Sequence, residues 1–260
     1  MFGFIKYISE KFFLIFLIGS ITLSIIVGFL WKKTKDVSEA KVVTDIKNLV
    51  QRKSPIVKLN ANQIALLPPF SEEDHKRGNK GASVTLIVYS DYECPFCADY
   101  YFIIRKILDE YKQSLAASER GKDEIRLAYR HYPIVAIHPE SQRLAETSEC
   151  VTELGGDDAF WQFSDIIFTK SDKGKDLSWV STDLNINQSK FNKCVEDSRY
   201  KEKVERQYDD GLKAGVSATP TTFIIKDKTE VWLITGAYSY EDMKVIIEEA
   251  FGGHKDSSTL

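Results

Sequence analysis

The amino-acid sequence predicts an α/β domain that follows one apolar N-terminal segment. Strand-like and helix-like patterns alternate in the order β-α-β, a helical block, then β-β-α. Two cysteines, Cys94 and Cys97, stand where the first of these strands passes into the first helix. A stretch of twenty residues without a charge, Phe12 to Trp31, precedes the whole series. These three observations predict one α/β domain attached to a membrane helix.

The composition of the 260-residue chain is that of a globular protein. Hydrophobic residues make up 43% and aromatic residues 12% of the chain, enough to bury the core of one domain. The 35 basic and 38 acidic residues give a formal charge of -3. A chain without a basic excess lacks the field that binding to a phosphate backbone requires. Nucleic acid is therefore not an expected partner.

The apolar segment is long enough to cross a membrane. At about 1.5 Å per residue, a helix over 12–31 matches a hydrocarbon core of about 30 Å. A cleaved signal peptide has a shorter apolar region that ends in small residues, whereas this segment ends in "FLWKK". We therefore predict an uncleaved signal-anchor over 12–31, behind a short tail of residues 1–11. Two lysines precede the span and three follow it, which slightly favours a cytoplasmic C-terminus.

Residues 32–70 are predicted to form a stalk helix and a linker. Five apolar residues recur at spacings of three and four within 36–54, as on one face of a helix: Val42, Val43, Ile46, Leu49 and Val50. The following "SPIVKLNANQIALLPPFSEEDHKRGNKGA" mixes Pro, Asn, Gly and charge without periodicity, which is typical of a linker. We place the folded domain at 71–251, with its boundary near Ser71, and a C-terminal tail at 252–260.

The first half of the domain reads as a β-α-β unit. "SVTLIVYS", residues 83–90, predicts a strand that is buried on both faces. A helix is predicted to begin at or just after Cys94, because Pro95 fits a first helical turn, where its missing N–H is not needed. "EIRLAYRHYP" predicts the second strand, which completes a right-handed crossover.

A helical subdomain is predicted to interrupt the β-rich part of the domain at about 135–214. Within it, "SQRLAETSECVTELGG" ends in a glycine stop, and "DAFWQFSDIIFTK" begins behind a capping aspartate. "TPTTFIIKDKTEVWLITG" then predicts two strands around a turn. A last helix is predicted to begin at a Ser239 cap, with Asp242 three residues further on.

The position of the Cys-x-x-Cys pair suits thiol-disulfide exchange. The attacking species is a thiolate, and a helix N-terminus stabilises one at Cys94 through its free N–H groups and partial positive charge. Cys97, one turn further in, is placed to release a mixed disulfide. Glu93 would oppose the thiolate if its carboxylate pointed that way, and Phe96 adds neither a donor nor a charge. We therefore expect a less extreme oxidant than a site with histidine at position 96.

Two other readings of the pair stay open at this point: half of a zinc site, and structural cysteines without turnover. No second close cysteine pair exists, and His131 and His138 lack the spacing of zinc ligands, so no metal is expected. The two histidines, which flank the end of the second strand, are expected to be packed or surface residues.

Four separated motifs carry a family resemblance: "HKRGNKGASVTLIVYSDYECPFC", "RHYPIVAIHPESQRLAETSECV", "FWQFSDIIF" and "GVSATPTTFI". In this order they resemble the DsbA-like thiol-disulfide oxidoreductases, whose thioredoxin-like fold contains an inserted helical subdomain. The resemblance runs from about Ser71 to Phe251. It implies a cis-proline loop in which Pro220 is cis and Thr219 faces the substrate, although trans is the default for an X-Pro bond.

The resemblance has one departure and leaves one pairing open. Many members carry an acidic residue six positions before the first cysteine, where this chain has Val88, so proton transfer at Cys97 would rely on water or another group. Similar members contain a second disulfide, which here would join Cys150 and Cys194. Two buried free thiols are the alternative, and an even cysteine count in a membrane-tethered domain favours the bond.

The expected function is that of a membrane-anchored thiol-disulfide oxidoreductase of the cell envelope. Its catalytic domain would lie on the periplasmic, extracytoplasmic side, with Cys94 as nucleophile and Cys97 as resolving thiol, and would act on reduced or misoxidised exported proteins. The thiol chemistry itself needs no cofactor. The resemblance implies a quinone-linked membrane oxidase as partner, either DsbB-like or similar to vitamin K epoxide reductase. The alternatives are a disulfide reductase or isomerase of the same fold, and a non-catalytic binding or chaperone module.

Overall fold

The protein divides into two units, residues 1–53 and 54–260. The computed structural model describes residues 22–28, 56–79, 81–116, 125–227 and 229–251. In the first unit, residues 22–28 are helical and exposed. Most of the signal-anchor prediction over 12–31 lies outside the described residues, as do the stalk helix at 36–54 and both tails. Within the described ranges, no helix has the length and apolar character needed to cross a membrane.

Among the described residues of the second unit, six strands form one mixed sheet. They are β1 (Val57–Lys58), β2 (His75–Gly78), β3 (Val84–Ser90), β4 (Ile125–His131), β5 (Thr221–Lys226) and β6 (Glu230–Thr235). Their order in space is β1-β6-β5-β3-β4-β2. The pair β3 and β4 is parallel, and the other neighbouring strands are antiparallel. The parallel pair at the centre is the predicted β-α-β unit.

The described helices are α1 (Ala61–Ile64), α2 (Pro95–Ala116), α3 (Ser141–Thr169), α4 (Trp179–Asp183), α5 (Gln188–Glu196), α6 (Lys201–Lys213) and α7 (Tyr240–Ala250). A 3-10 helix covers Ser171–Gly174. Helices α3 to α6 stand between β4 and β5, so the structure has the predicted thioredoxin-like α/β fold with an inserted helical block. Gly156 interrupts α3 with a φ of 75°, a conformation that glycine adopts easily, at the predicted glycine stop.

The core lies on both faces of the sheet because successive side chains of a strand point to opposite sides. On β3, Leu86 and Val88 belong to the larger buried cluster, which includes residues of α2, α3 and α7. Ile87 and Tyr89 belong to the second cluster, which lies on the other face. All seven residues of β3 are buried. The prediction of a strand buried on both faces is thus confirmed.

The stretch predicted as a linker is folded over its described part. Strands β1 and β2 pair with β6 and β4. Arg130 on β4 anchors the segment: it donates to Asp74 at 2.7 and 3.0 Å and to the carbonyls of Pro68 and Pro69. The linker prediction is therefore wrong for residues 56–70, and the folded unit begins before Ser71. The sequence pattern did not reveal β1 and β2, because short, charged edge strands do not show an alternation of apolar and polar residues.

Candidate active site

A tight turn places the two cysteines at the start of α2. Asp91 accepts hydrogen bonds from the backbone N–H of Glu93 through Oδ1 at 2.9 Å and of Cys94 through its carbonyl at 3.2 Å. The carbonyl of Cys94 then accepts the first helical hydrogen bonds, from the N–H groups of Cys97 at 3.0 Å and Ala98 at 3.2 Å. Both cysteines are buried free thiols. Cys94 therefore stands immediately before the helix, as predicted, and Cys97 lies within its first turn.

The two thiols have opposite electrostatic environments. A hydrogen bond with Cys97, together with interactions with Thr219 and the backbone of Cys97 and Phe96, outweighs burial and lowers the pKa of Cys94 to about 6. Burial, with the proximity of Cys94 as the next cause, raises the pKa of Cys97 well above its ordinary value. At neutral pH, Cys94 is therefore a thiolate and Cys97 a thiol. This is the division of roles that thiol-disulfide exchange needs.

The loop before β5 lies against Cys94. The Thr219–Pro220 peptide bond is cis, and the Thr219 carbonyl oxygen lies 3.5 Å from Cys94 Sγ, where it accepts a hydrogen bond from the protonated form of the thiol. The carbonyl of Pro220 accepts from the N–H of Gly236 at 2.8 Å, which ties the loop to the end of β6. The hydroxyl of Thr219 is buried and has no hydrogen-bond partner among the described residues. The structure thus places Thr219 and Pro220 beside the first cysteine, although they are 125 residues away from it in sequence.

A buried carboxylate joins the cysteine turn to the loop that follows β4. Asp91 Oδ2 accepts from the N–H of Ile134 at 2.8 Å and lies 2.8 Å from His138 Nδ1. Glu93 Oε2 accepts from the N–H of Glu140 at 2.6 Å, so this carboxylate is engaged by the same loop. Sequence reasoning missed Asp91, although an aspartate two or three residues before a helix is a known signal of a side-chain-stabilised turn.

Three exposed apolar side chains lie on the two segments that Asp91 joins. Phe96, between the cysteines, is 63% exposed, and Val135 and Ile137 are 54% and 69% exposed. They form what we call the apolar rim: Phe96, Val135 and Ile137. Exposed apolar groups beside a reactive thiol offer contact area for an apolar partner.

Cys150 and Cys194 form a disulfide between α3 and α5. Their Cα atoms are 5.9 Å apart, and 44 residues separate them in sequence. Both cysteines are buried in the larger core cluster. The pairing that the resemblance implied is the one in the structure, and it belongs to the helical block.

Of the described residues, three combine donor types that bind metals: His75, His131 and Glu149, whose nearest donor atoms lie within 4.8 Å. Glu149 Oε1 contacts His75 Nε2 at 2.9 Å and His131 Nε2 at 3.1 Å, and its Oε2 pairs with Lys203 at 2.7 Å. The ammonium group already balances the buried carboxylate, and a divalent cation would add uncompensated charge. We interpret the group as a hydrogen-bonded network that joins β2 and β4 to α3 and α6.

Sequence reasoning treated His131 and His138 as packed or surface residues. The structure buries His131 in the Glu149 network and uses His138 as a partner of Asp91. Burial, offset in part by Glu149, lowers the pKa of His131, so this histidine is neutral at pH 7. His75 and Glu149 had no signal in the sequence because 74 residues separate them.

Comparisons with known proteins agree with this geometry. Residues 71–249 match the family described as Thioredoxin. The structure resembles Pseudomonas aeruginosa DsbA2, with a TM-score of 0.56 and 25% identity, over 74% of this chain and 99% of that one. It also shares the fold of Wolbachia pipientis alpha-DsbA1, with a TM-score of 0.58 and 20% identity, over 73% and 96% of the two chains.

A curated relative is named Na(+)/H(+) antiporter NhaA 3, from Salinispora tropica. It is 28% identical over 188 residues, which cover 72% of this chain and 26% of that protein. The chain thus spans about a quarter of the length of this relative. The family match covers more than half of the chain, and it includes both active-site cysteines and the cis-proline loop. The chain belongs to the thioredoxin family and has a DsbA-like fold.

Proposed function

We propose that this protein is a membrane-anchored enzyme that forms or exchanges disulfide bonds in exported proteins. The observation that carries the proposal is the pair of opposite thiol pKa shifts at one helix start, with the cis-proline loop against Cys94. In this proposal Cys94 is the nucleophile, Cys97 is the resolving thiol, and Thr219 with Pro220 orients the substrate chain.

In the oxidising direction, the reaction begins from the Cys94–Cys97 disulfide. A substrate thiolate attacks Cys94 Sγ, so the bond between the two enzyme sulfurs breaks, and Cys97 leaves as a thiolate that takes up a proton. A second substrate thiolate then attacks the substrate sulfur of the mixed disulfide and releases Cys94 as a thiolate. The substrate gains a disulfide, and the enzyme keeps two electrons as its dithiol. The pKa of about 6 at Cys94 favours this release, because a thiol of lower pKa leaves faster.

The apolar rim supports a polypeptide substrate that is not yet folded. Unfolded chains expose the apolar side chains that a native protein buries, and Phe96, Val135 and Ile137 would contact such segments beside the reacting sulfur. The buried hydroxyl of Thr219, which has no partner among the described residues, adds a group that would form a hydrogen bond with the substrate backbone. These contacts would hold a cysteine-containing segment against Cys94.

The compartment, the anchor and the electron partner are part of the proposal. The charge-free stretch 12–31 supports an anchor, and a disulfide-forming enzyme suits the oxidising, extracytoplasmic side of a membrane. The enzyme dithiol must lose two electrons after each cycle, and a quinone-linked membrane oxidase of the DsbB or vitamin K epoxide reductase type would accept them. A topology reporter fused to the C-terminus tests the orientation, and a cytoplasmic signal would contradict it.

The direct test is oxidation of a reduced peptide with two cysteines by the full chain in its disulfide form. The wild type is expected to oxidise the peptide, and Cys94→Ser is expected to show only the background rate. The matched control is the double variant Cys150→Ser with Cys194→Ser, which should retain the reaction. Peptide oxidation by Cys94→Ser at the wild-type rate would contradict the proposal and favour a binding module.

The reduction potential of the Cys94–Cys97 pair separates an oxidase from a reductase. A thiolate stabilised to a pKa of about 6 favours the dithiol, by about 1.4 kcal/mol for each unit, and so makes the disulfide more oxidising. We expect a potential well above the roughly -270 mV of thioredoxin. A value at or below that level would favour the reductase alternative.

A further inference from the structure

A small cavity between α2 and the strands β3 and β4 has Cys97 in its lining. Its volume is about 10 Å³, and its lining includes Val88, Ser90, Cys97, Leu127 and Tyr129. A space of roughly 10–15 Å³ is what a single buried water molecule requires. The cavity therefore has the size of one water molecule and is lined in part by Cys97, the proposed resolving cysteine.

Tyr129 supplies an unpaired polar group at this cavity. Its hydroxyl is buried and has no hydrogen-bond partner among the described residues. The hydroxyls of the other tyrosines that line the cavity are already bonded: Tyr100 to Thr222 at 2.8 Å and Tyr101 to Asp165 at 2.6 Å. Buried polar groups without a protein partner are commonly satisfied by an internal water molecule.

None of the described residues that line the cavity is acidic. Val88 lines it with an apolar side chain, and Ser90, two residues further along β3, adds a hydroxyl. That hydroxyl favours the thiolate form of Cys97, since it acts to lower the pKa of this thiol against the larger effect of burial. The polar side-chain groups that line the cavity from the sheet are therefore the hydroxyls of Ser90 and Tyr129.

We propose that Tyr129 and Ser90 hold one water molecule in this cavity, and that it donates a hydrogen bond to Cys97 Sγ when the Cys94–Cys97 bond breaks. The inference rests on the proposed function, in which Cys97 is the leaving sulfur of that step. Tyr129 is a positioning residue because it acts through the water molecule, whereas Ser90 also interacts with Cys97 directly. Burial raises the pKa of Tyr129 well above its ordinary value, so its hydroxyl stays protonated while it holds the water molecule.

The electrons and protons of the step balance without another reactant. The attacking thiolate forms its bond to Cys94 Sγ with its own electron pair, and the pair of the broken bond stays on Cys97. The water molecule stabilises this charge by hydrogen bonding, and a proton from bulk solvent then neutralises the thiolate. In the reverse direction, Cys97 gives up the proton before it attacks Cys94.

Three variants test the water site in the full chain. Tyr129→Phe removes the hydroxyl, and Val88→Ile fills the space while keeping that hydroxyl. Tyr101→Phe is the matched control, because its ring lines the same cavity while its hydroxyl bonds to Asp165. The readouts are the single-turnover cleavage of the Cys94–Cys97 disulfide by dithiothreitol and the pKa of Cys97, followed by its 13Cβ chemical shift.

We expect Tyr129→Phe and Val88→Ile to slow the cleavage by roughly 10- to 100-fold, the effect of one hydrogen bond to a charged group, and to raise the pKa of Cys97. Tyr101→Phe should change neither. Cleavage by both test variants at the rate of Tyr101→Phe, or a dry cavity in a high-resolution crystal structure of the wild type, would overturn the inference. Neither result would touch the proposed function, which is tested separately by the loss of disulfide exchange in Cys94→Ser.

Discussion

The two cysteine pairs of this protein are both buried, and yet their chemistry differs. Cys94 and Cys97 are 4% and 1% exposed and are free thiols, whereas Cys150 and Cys194 are 1% and 0% exposed and are bonded to each other. Burial of the sulfur atoms therefore does not distinguish a reactive pair from a structural one. The difference lies in the groups around them, since only the first pair opens a helix and faces a cis-proline loop.

The residues around the second pair form ion pairs and hydrogen bonds that connect α3 to its neighbours. Cys150 follows Glu149, whose carboxylate binds two histidines and Lys203. Three residues beyond Cys150, Glu153 pairs with Arg199 at 2.6 Å, which joins α3 to the segment after α5. These contacts join α3 to β2, β4, α6 and the segment after α5, and the disulfide adds a link from α3 to α5. The second pair is thus one of several contacts that hold α3 in place. We expect it to contribute to stability and to take no part in catalytic turnover.

The largest expected effect is that of Cys97→Ser. Without Cys97 the enzyme cannot form the Cys94–Cys97 disulfide that begins the oxidising cycle, so turnover should fall to the background rate. In the reverse direction, a mixed disulfide on Cys94 lacks the thiolate that would displace the substrate. Non-reducing mass spectrometry should detect the adduct on Cys94. Sustained turnover by this variant would break the distinction between the two pairs, because it would mean that Cys97 does not resolve the intermediate.

Removal of the other pair should act on stability instead. The double variant Cys150→Ala with Cys194→Ala opens a loop closed across 44 residues and should lower the free energy of unfolding by about 4 kcal/mol. Chemical denaturation of the two proteins measures this difference. Exchange activity at temperatures where the variant stays folded should match the wild type. Loss of that activity in the folded variant would contradict a purely structural role.

A smaller effect is expected where the helical block packs on the sheet. A Cβ atom at Gly211 on α6 would lie 2.8 Å from the ring of Tyr89 and 2.9 Å from the ring of Tyr132. Gly211→Ala should therefore destabilise the fold by about 1–3 kcal/mol. The matched control is Leu212→Ala, because this neighbouring side chain on α6 is 56% exposed. Equal stability of both variants would show that α6 relaxes away from the sheet.

The smallest effect concerns the apolar rim. Ile137→Ser should raise the KM for a reduced peptide a few-fold, by about 1 kcal/mol of lost apolar contact, with little change in kcat. Cleavage of the Cys94–Cys97 disulfide by a small thiol such as dithiothreitol should not change. The control is Val245→Ser on α7, because Val245 is 39% exposed but lies outside the rim. An equal KM for both variants would mean that the apolar rim does not contact the substrate.

Much of the site could be predicted because its signals are local. The strand before the cysteines, the proline that suits a first helical turn and the spacing of Cys94 and Cys97 all lie within fifteen residues, 83–97. Pro220 was reached through the family resemblance alone. No local pattern states that a peptide bond is cis, or that a loop 125 residues away meets Cys94.

The features that sequence reasoning missed depend on contacts between distant residues. β1 and β2 are two and four residues long and pair at the sheet edges, so they show no alternating pattern. Asp74 and Arg130, and likewise His75 and Glu149, meet only in the folded chain. The unpaired hydroxyl of Tyr129 depends on the packing of strands and helices around it. A single sequence carries no signal for such pairings.

The reactivity of Cys94 as a function of pH tests the central claim most directly. A pKa lowered to about 6 means that Cys94 is a thiol below this pH and a thiolate above it. The rate at which iodoacetamide alkylates Cys94 in the reduced protein, located by mass spectrometry, should rise with pH and level off with a midpoint near 6. Cys97 should stay unreactive throughout that range. A midpoint near the ordinary value of a free thiol, about 8.5, would contradict the assignment of Cys94 as an activated nucleophile.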